Sequence, residues 1–81
     1  MSQTNRIIVQ LQCQPGFADK VADEIFEREI VSELYSTSGE WDLLMIINVP
    51  EGQDIGKYVN KHILDVKGIN RSLTTLTFTG F

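Results

Sequence analysis

From Leu43 to Ile47 the chain reads Leu-Leu-Met-Ile-Ile, an unbroken apolar run with β-branched residues at its end. A run of that length, bounded by polar residues, suits a strand buried on both faces. It therefore demands cover on two sides, and few small architectures supply that. Immediately before it, Ser36-Thr37-Ser38-Gly39-Glu40-Trp41-Asp42 is polar and turn-forming, with Gly39 free to take positive φ. Polar groups fastened to a rigid hydrophobic element are where binding sites are usually built.

The rest of the chain can be read around this strand. Arg6 to Cys13 alternates, with Ile7, Val9, Leu11 and Cys13 on one side and Ile8, Gln10 and Gln12 on the other, the period of a strand. Cys13 continues the apolar set and reads as a small buried hydrophobe. After Pro15-Gly16, a helix is expected over Phe17 to Glu29, with Phe17, Ala18, Val21, Ala22 and Ile25 as its apolar stripe. Glu24 and Arg28 form an acidic-first i,i+4 pair on the other side. Ile30 to Thr37 reads as a second strand of mixed polarity, suited to a sheet edge. It folds back through Ser38-Gly39-Glu40 as a hairpin onto a strand from Trp41 to Val49.

Beyond Pro50-Glu51-Gly52, a second helix opens at Gln53 or Asp54, with Asp54 a plausible N-cap. Ile55, Val59, Ile63 and Val66 line its inner face, and Lys67-Gly68 is expected to end it with Gly68 at C′. Asn70 to Thr79 is the last strand. Residues 1–5 read as a flexible lead and 6–81 as one domain.

The class is α+β, and the order βαββαβ is the ferredoxin-like split βαβ arrangement. Right-handed crossovers place both helices on one face of a four-stranded antiparallel sheet, with the first and third strands central. Those are also the two most hydrophobic strands. Either Leu44 and Ile46, or Leu43, Met45 and Ile47, must then face away from the helices. An apolar sheet face that wide calls for a partner, and a dimer packed sheet to sheet is the simplest completion. At 81 residues a lone domain buries only about 60% of its unfolded surface, which points the same way.

Composition narrows the functional classes. The net charge of −4, from 11 acidic and 7 basic residues, carries no electrostatic footprint for direct nucleic-acid binding. A single cysteine excludes an internal disulfide and a four-cysteine zinc site. His62, the only histidine, has no second His or Cys at ligand spacing and reads as a packing residue. No metal or cofactor is expected. No signal peptide or membrane span is apparent, so a cytoplasmic chain without membrane contact is expected.

Three motifs then converge on a family. Leu34-Tyr35-Ser36-Thr37-Ser38-Gly39-Glu40-Trp41-Asp42-Leu43-Leu44 resembles the signature of the Lrp/AsnC effector-sensing (RAM) domain, in which an aliphatic-Tyr stretch and a Thr-Gly turn precede an aromatic-Asp pair. Pro15-Gly16 before the first helix matches, as does Gly68-Ile69-Asn70-Arg71-Ser72-Leu73-Thr74. The resemblance runs from about Arg6 to Phe78 and leaves no residues for the helix-turn-helix domain of full-length members, so a stand-alone sensing domain is expected. It implies a dimeric α/β barrel, commonly assembled into rings. It also implies an effector, typically an amino acid, bound between dimers, and possible pairing with full-length Lrp/AsnC regulators of transcription. Carried over residue by residue, the effector site falls on Ser38, Gly39, Asp42, Ser72 and Thr74. Backbone N–H groups at a glycine turn can receive a carboxylate. Asp42 can accept from an ammonium, and the hydroxyls can do either.

Two other readings stay open. Dimeric α/β barrels include small monooxygenases and isomerases, for which Trp41, His62, Tyr35, Tyr58 and Asn48 are candidate residues; no nucleophile–base spacing supports one. The domain could also act purely in oligomerisation, with no ligand. The hairpin residues Gly39 and Asp42 would then simply form a tight turn, Asp bonding backbone N–H groups.

Overall fold

A computed structural model describes residues 4–81. Its elements run β1 (Thr4–Cys13), α1 (Ala18–Glu27), β2 (Glu33–Ser36), β3 (Leu43–Pro50), α2 (Ile55–His62) and β4 (Ile69–Leu76). The strands form one antiparallel sheet in the order β2-β3-β1-β4. This is the expected βαββαβ fold, with β1 and β3 central and β2 at an edge. Of the lead expected to be flexible, residues 1–3 lie outside the described residues, and Thr4 and Asn5 already belong to β1.

β1 and β3 pair over Thr4↔Pro50 to Leu11↔Leu43, which sets Ile7 beside Ile47 and Val9 beside Met45. Those residues, with Leu11, Leu43 and Val49, are buried against Val21 and Ile25 of α1 and Val59 and Ile63 of the α2 region. The period-2 alternation therefore sends Leu44 and Ile46, with Ile8, to the opposite face, where they are only half-buried. Tyr35, paired with Leu44, and Leu73, paired with Gln10, extend that open face and are 51% and 44% exposed.

Both helices stop short of their expected ends, Glu29 and Lys67. In α1, Arg28 N–H and Glu29 N–H reach back only three residues, to Ile25 O and Phe26 O, and Glu29 takes a left-handed φ of 56°. In α2, Asp54 does cap the N-terminus, its carboxylate accepting from Lys57 N–H at 2.9 Å. The helix was expected to reach Lys67, but it ends at His62. The carbonyl of His62, which Val66 N–H would take in a longer helix, accepts instead from the Arg28 guanidinium at 3.0 Å. Val66 N–H turns to Ile63 O at 3.1 Å. Arg28 also binds Asp65 at 2.5 Å and lies 3.9 Å from Glu24, the pair expected from the sequence. One side chain at the C-cap of α1 thus closes the end of α2, and Val66 reaches the core from a turn.

Gly68 accordingly is not a helix C′ residue. It sits in the turn before β4 at φ +104°, and a Cβ there would lie 2.7 Å from Cδ2 of the Phe17 ring. Strand boundaries moved as well. Ile30 and Val31, expected within β2, pack against the core from a loop. β4 ends at Leu76, leaving Phe78 94% exposed.

Gly68 and Gly39 share a positive φ but differ in surroundings, since nothing lies within 4 Å of a Cβ at Gly39. Gly39→Ala should therefore cost about 1 kcal/mol through backbone strain alone. Gly68→Ala, which adds the collision with Phe17, should cost roughly 2–4 kcal/mol. Urea denaturation of the two variants measures the difference.

Candidate functional site

The β2–β3 hairpin is held to the end of β1 chiefly by Asp42. Its backbone N–H donates to Leu11 O at 2.8 Å, and its Oδ2 accepts from Cys13 N–H at 2.7 Å. Its own carbonyl accepts from Thr37 N–H at 2.9 Å, while the Thr37 hydroxyl donates to Trp41 O at 2.8 Å. Asp42 thus braces the turn, but across 29 residues to β1 rather than to its local backbone. Among the described residues Oδ1 takes no hydrogen bond and is free to accept another. Gly39 turns the chain at φ +96°, and Ser38 and Gly39 are exposed.

A second set of contacts joins this hairpin to β4. Gln12, at the end of β1, pairs with Arg71 of β4. Its side-chain amide donates to Glu40 O at 3.3 Å, and its Oε1 accepts from Asn70 Nδ2 at 2.9 Å and from Arg71 Nε at 3.2 Å. Arg71 forms an ion pair with Glu40 and lays its guanidinium over the Trp41 ring, 4.9 Å from the centroid. A guanidinium above an indole is a favourable cation–π arrangement.

The hairpin and the start of β4 therefore meet, but not through all the expected side chains. Ser38, Gly39 and Asp42 share the hairpin. Ser72 and Thr74 pair with Leu11 and Val9, so they point to the helix side of the sheet, exposed at its β4 edge. Among the described residues neither makes a side-chain hydrogen bond to the hairpin. The residues that connect the two segments are Gln12, Glu40, Trp41, Asn70 and Arg71. Glu40, Trp41, Asn70 and Arg71 stand inside the motif stretches, but a pair separated by 31 positions is visible only once strand register is known.

The residues weighed for catalysis do not converge. Tyr58 and His62 stack along α2 with ring centroids 4.4 Å apart. Trp41 lies beneath Arg71, Asn48 donates to the Ser32 hydroxyl at 2.7 Å, and Tyr35 donates to Glu33. The Tyr35 hydroxyl is pushed above its usual pKa by that hydrogen bond and by the Glu33 charge. Cys13 is buried as expected, and burial, then the nearby Asp42 carboxylate, push its thiol pKa up. Surface hollows lie elsewhere, among them one lined by Phe26, Glu27, Glu29 and Val31 and another by residues including Ile55 and Leu76. No helix among the described residues is long and apolar enough to cross a membrane.

Several solved structures share this fold. A Thermus thermophilus protein superposes with a TM-score of 0.80 at 22% identity, over 95% of this chain and 96% of its own. E. coli AsnC superposes at 0.84 with 10% identity, covering 94% of this chain and 52% of that one. The family model for the Lrp/AsnC ligand binding domain matches residues 6–79, and the chain belongs to that family. Among curated relatives, an uncharacterised HTH-type transcriptional regulator of Pyrococcus furiosus is 25% identical over 96% of this chain and 53% of its own length. The HTH-type transcriptional regulator Ptr1 of Methanocaldococcus jannaschii is 26% identical over 91% and 50%. The chain thus spans about half the length of the curated relatives it matches.

Because Asp42 accepts a charge-assisted bond from the end of β1, Asp42→Ala should cost about 1.5–3 kcal/mol of stability by urea denaturation. Native Cys13 should react slowly with Ellman's reagent, its thiol being both buried and raised in pKa. The Asp42→Ala protein should react faster under native conditions, since the change loosens the strand end and removes a negative charge.

Proposed function

We infer that this domain senses a small zwitterionic effector, an amino acid or a close analogue, and self-associates through its open sheet face as part of cytoplasmic transcriptional control. The observation that carries the reading is Asp42, an oriented carboxylate with one oxygen fixed by Cys13 N–H and the other free, beside the exposed turn at Gly39. An ammonium bound there would meet a charge already held in place, so little ordering cost would fall on the ligand. Backbone N–H groups of the Gly39 turn are suited to the ligand carboxylate. Family membership supports the same assignment. Ser72 and Thr74, exposed at the β4 edge, would contribute across a boundary between subunits. Direct DNA contact is not part of this reading. Association with full-length Lrp/AsnC regulators is, because the same face would serve both kinds of partner.

One observation favours a second reading. The hairpin is already closed by Glu40 on Arg71, and an oligomerisation module without a ligand needs nothing more. A thermal-shift screen against the common amino acids separates the two, since a ligand at a hundred times its Kd stabilises by about 2.7 kcal/mol. For any amino acid that shifts the wild type, titration calorimetry should show Asp42→Ala binding weaker by about 1.5–3 kcal/mol. Binding of that ligand by folded Asp42→Ala as tightly as by wild type would move the site elsewhere.

Self-association has its own test. Leu44 lies on the open face, whereas Met45 is fully buried beneath the helices. Leu44→Asp should remain folded and become monomeric by light scattering, while Met45→Asp should unfold. A stable wild-type monomer at micromolar concentration would refute the assembly.

A further inference from the structure

At the middle of the open face, β1 and β3 set four side chains in a square, Ile8 beside Ile46 and Gln10 beside Leu44. Leu73 of β4 closes the other side of Gln10. The one polar member of this square is therefore enclosed by Ile8, Leu44 and Leu73. Gln12, two residues along, spends its carboxamide on Glu40, Asn70 and Arg71. Gln10, by contrast, makes no side-chain hydrogen bond among the described residues. No buried polar side-chain atom among these residues lacks a partner, so the half-buried Gln10 carboxamide is hydrated in the lone subunit. Covering the face would strip that water away, and an amide left unpaired in an apolar contact is costly.

The composition of the face points to a second copy of this chain as its cover. Arg6 pairs with Glu33 at 3.0 Å towards one end, and Arg71 pairs with Glu40 at the other. Each end thus holds both signs, and the apolar residues lie between them. A two-fold interface must be complementary to itself, and residues near its axis meet their own copies. A carboxamide, which is both donor and acceptor, can pair with an identical group. We propose that Gln10 fixes the register of the sheet-to-sheet pairing by hydrogen bonding to Gln10 of the second copy across the two-fold axis. This rests on the reading of the open face as the self-association surface. A polar residue in an apolar seam sets register in the same way in coiled coils, by penalising every alignment that leaves it unpaired.

The test uses sedimentation velocity on Gln10→Glu and Gln10→Lys, alone and mixed, with far-UV circular dichroism to confirm folding. Each variant alone should set like charges against one another and weaken self-association by roughly a hundred-fold. An equimolar mixture should recover a one-to-one heterodimer. Gln10→Leu, which suits an apolar face, should associate at least as tightly as wild type but give more than one set of amide peaks in its 1H–15N spectrum. If the mixture does not recover a dimer while Leu44→Asp still dissociates the wild type, the Gln10 pairing is wrong and the surface stands. If Leu44→Asp leaves the wild-type dimer intact, the surface is wrong and the pairing falls with it. Should a charged variant fail to fold, a single peak set for dimeric Gln10→Leu overturns the pairing.

Discussion

The antiparallel pairing of β1 with β3 is the interaction on which the rest of the molecule depends. It sets Ile7, Val9 and Leu11 beside Ile47, Met45 and Leu43, and both helices cover that single apolar surface. β2 attaches only to β3 and β4 only to β1, so each edge strand takes its register from the central pair. A slip of one residue between β1 and β3 would exchange the covered side chains for the open ones. It would also separate Asp42 from Cys13 N–H and the Gln12 carboxamide from Glu40 O. Fold and candidate site are thus two consequences of one alignment.

Much of the architecture was legible because its signals are local and periodic. Alternation in Arg6–Cys13 and the apolar run in Leu43–Ile47 identified the central strands, and Asp54 announced the start of α2. Helix ends were less legible. The apolar spacing of Val59, Ile63 and Val66 continues past His62, yet the helix ends there, and the His62 carbonyl accepts from Arg28 of a distant segment rather than from Val66 N–H. Periodicity reports which side chains reach the core. It does not report whether a helix or a turn carries them there.

The site divides along the same line. The Gly39 turn and Asp42 could be read from a contiguous stretch, and Cys13 could be read as buried. That the two residues meet could not, since the bond joins an Asp side chain to a backbone N–H 29 positions earlier. Ser72 and Thr74 show the converse difficulty. They are close to the hairpin in sequence motif and in strand position, but alternation along β4 turns them to the helix side and presents Arg71 and Leu73 to the open face. A motif names neighbours along a chain, whereas register decides which of them share a surface.

Arg28 has one further consequence. Its guanidinium accounts for a carbonyl at the end of one helix while its own backbone forms the end of the other. The two crossover connections therefore have a common fastening at one pole of the molecule, and fraying at either should be felt at both. The hydrogen bond from Arg28 holds the Asp65 carboxyl below the usual carboxylate range. That part of the fastening is complete above the ordinary carboxylate pKa and fades only as pH falls through the lowered value. Slow amide exchange in the last turns of α1 and α2 would then rise and fall together, giving two helices that share no residues a single opening event.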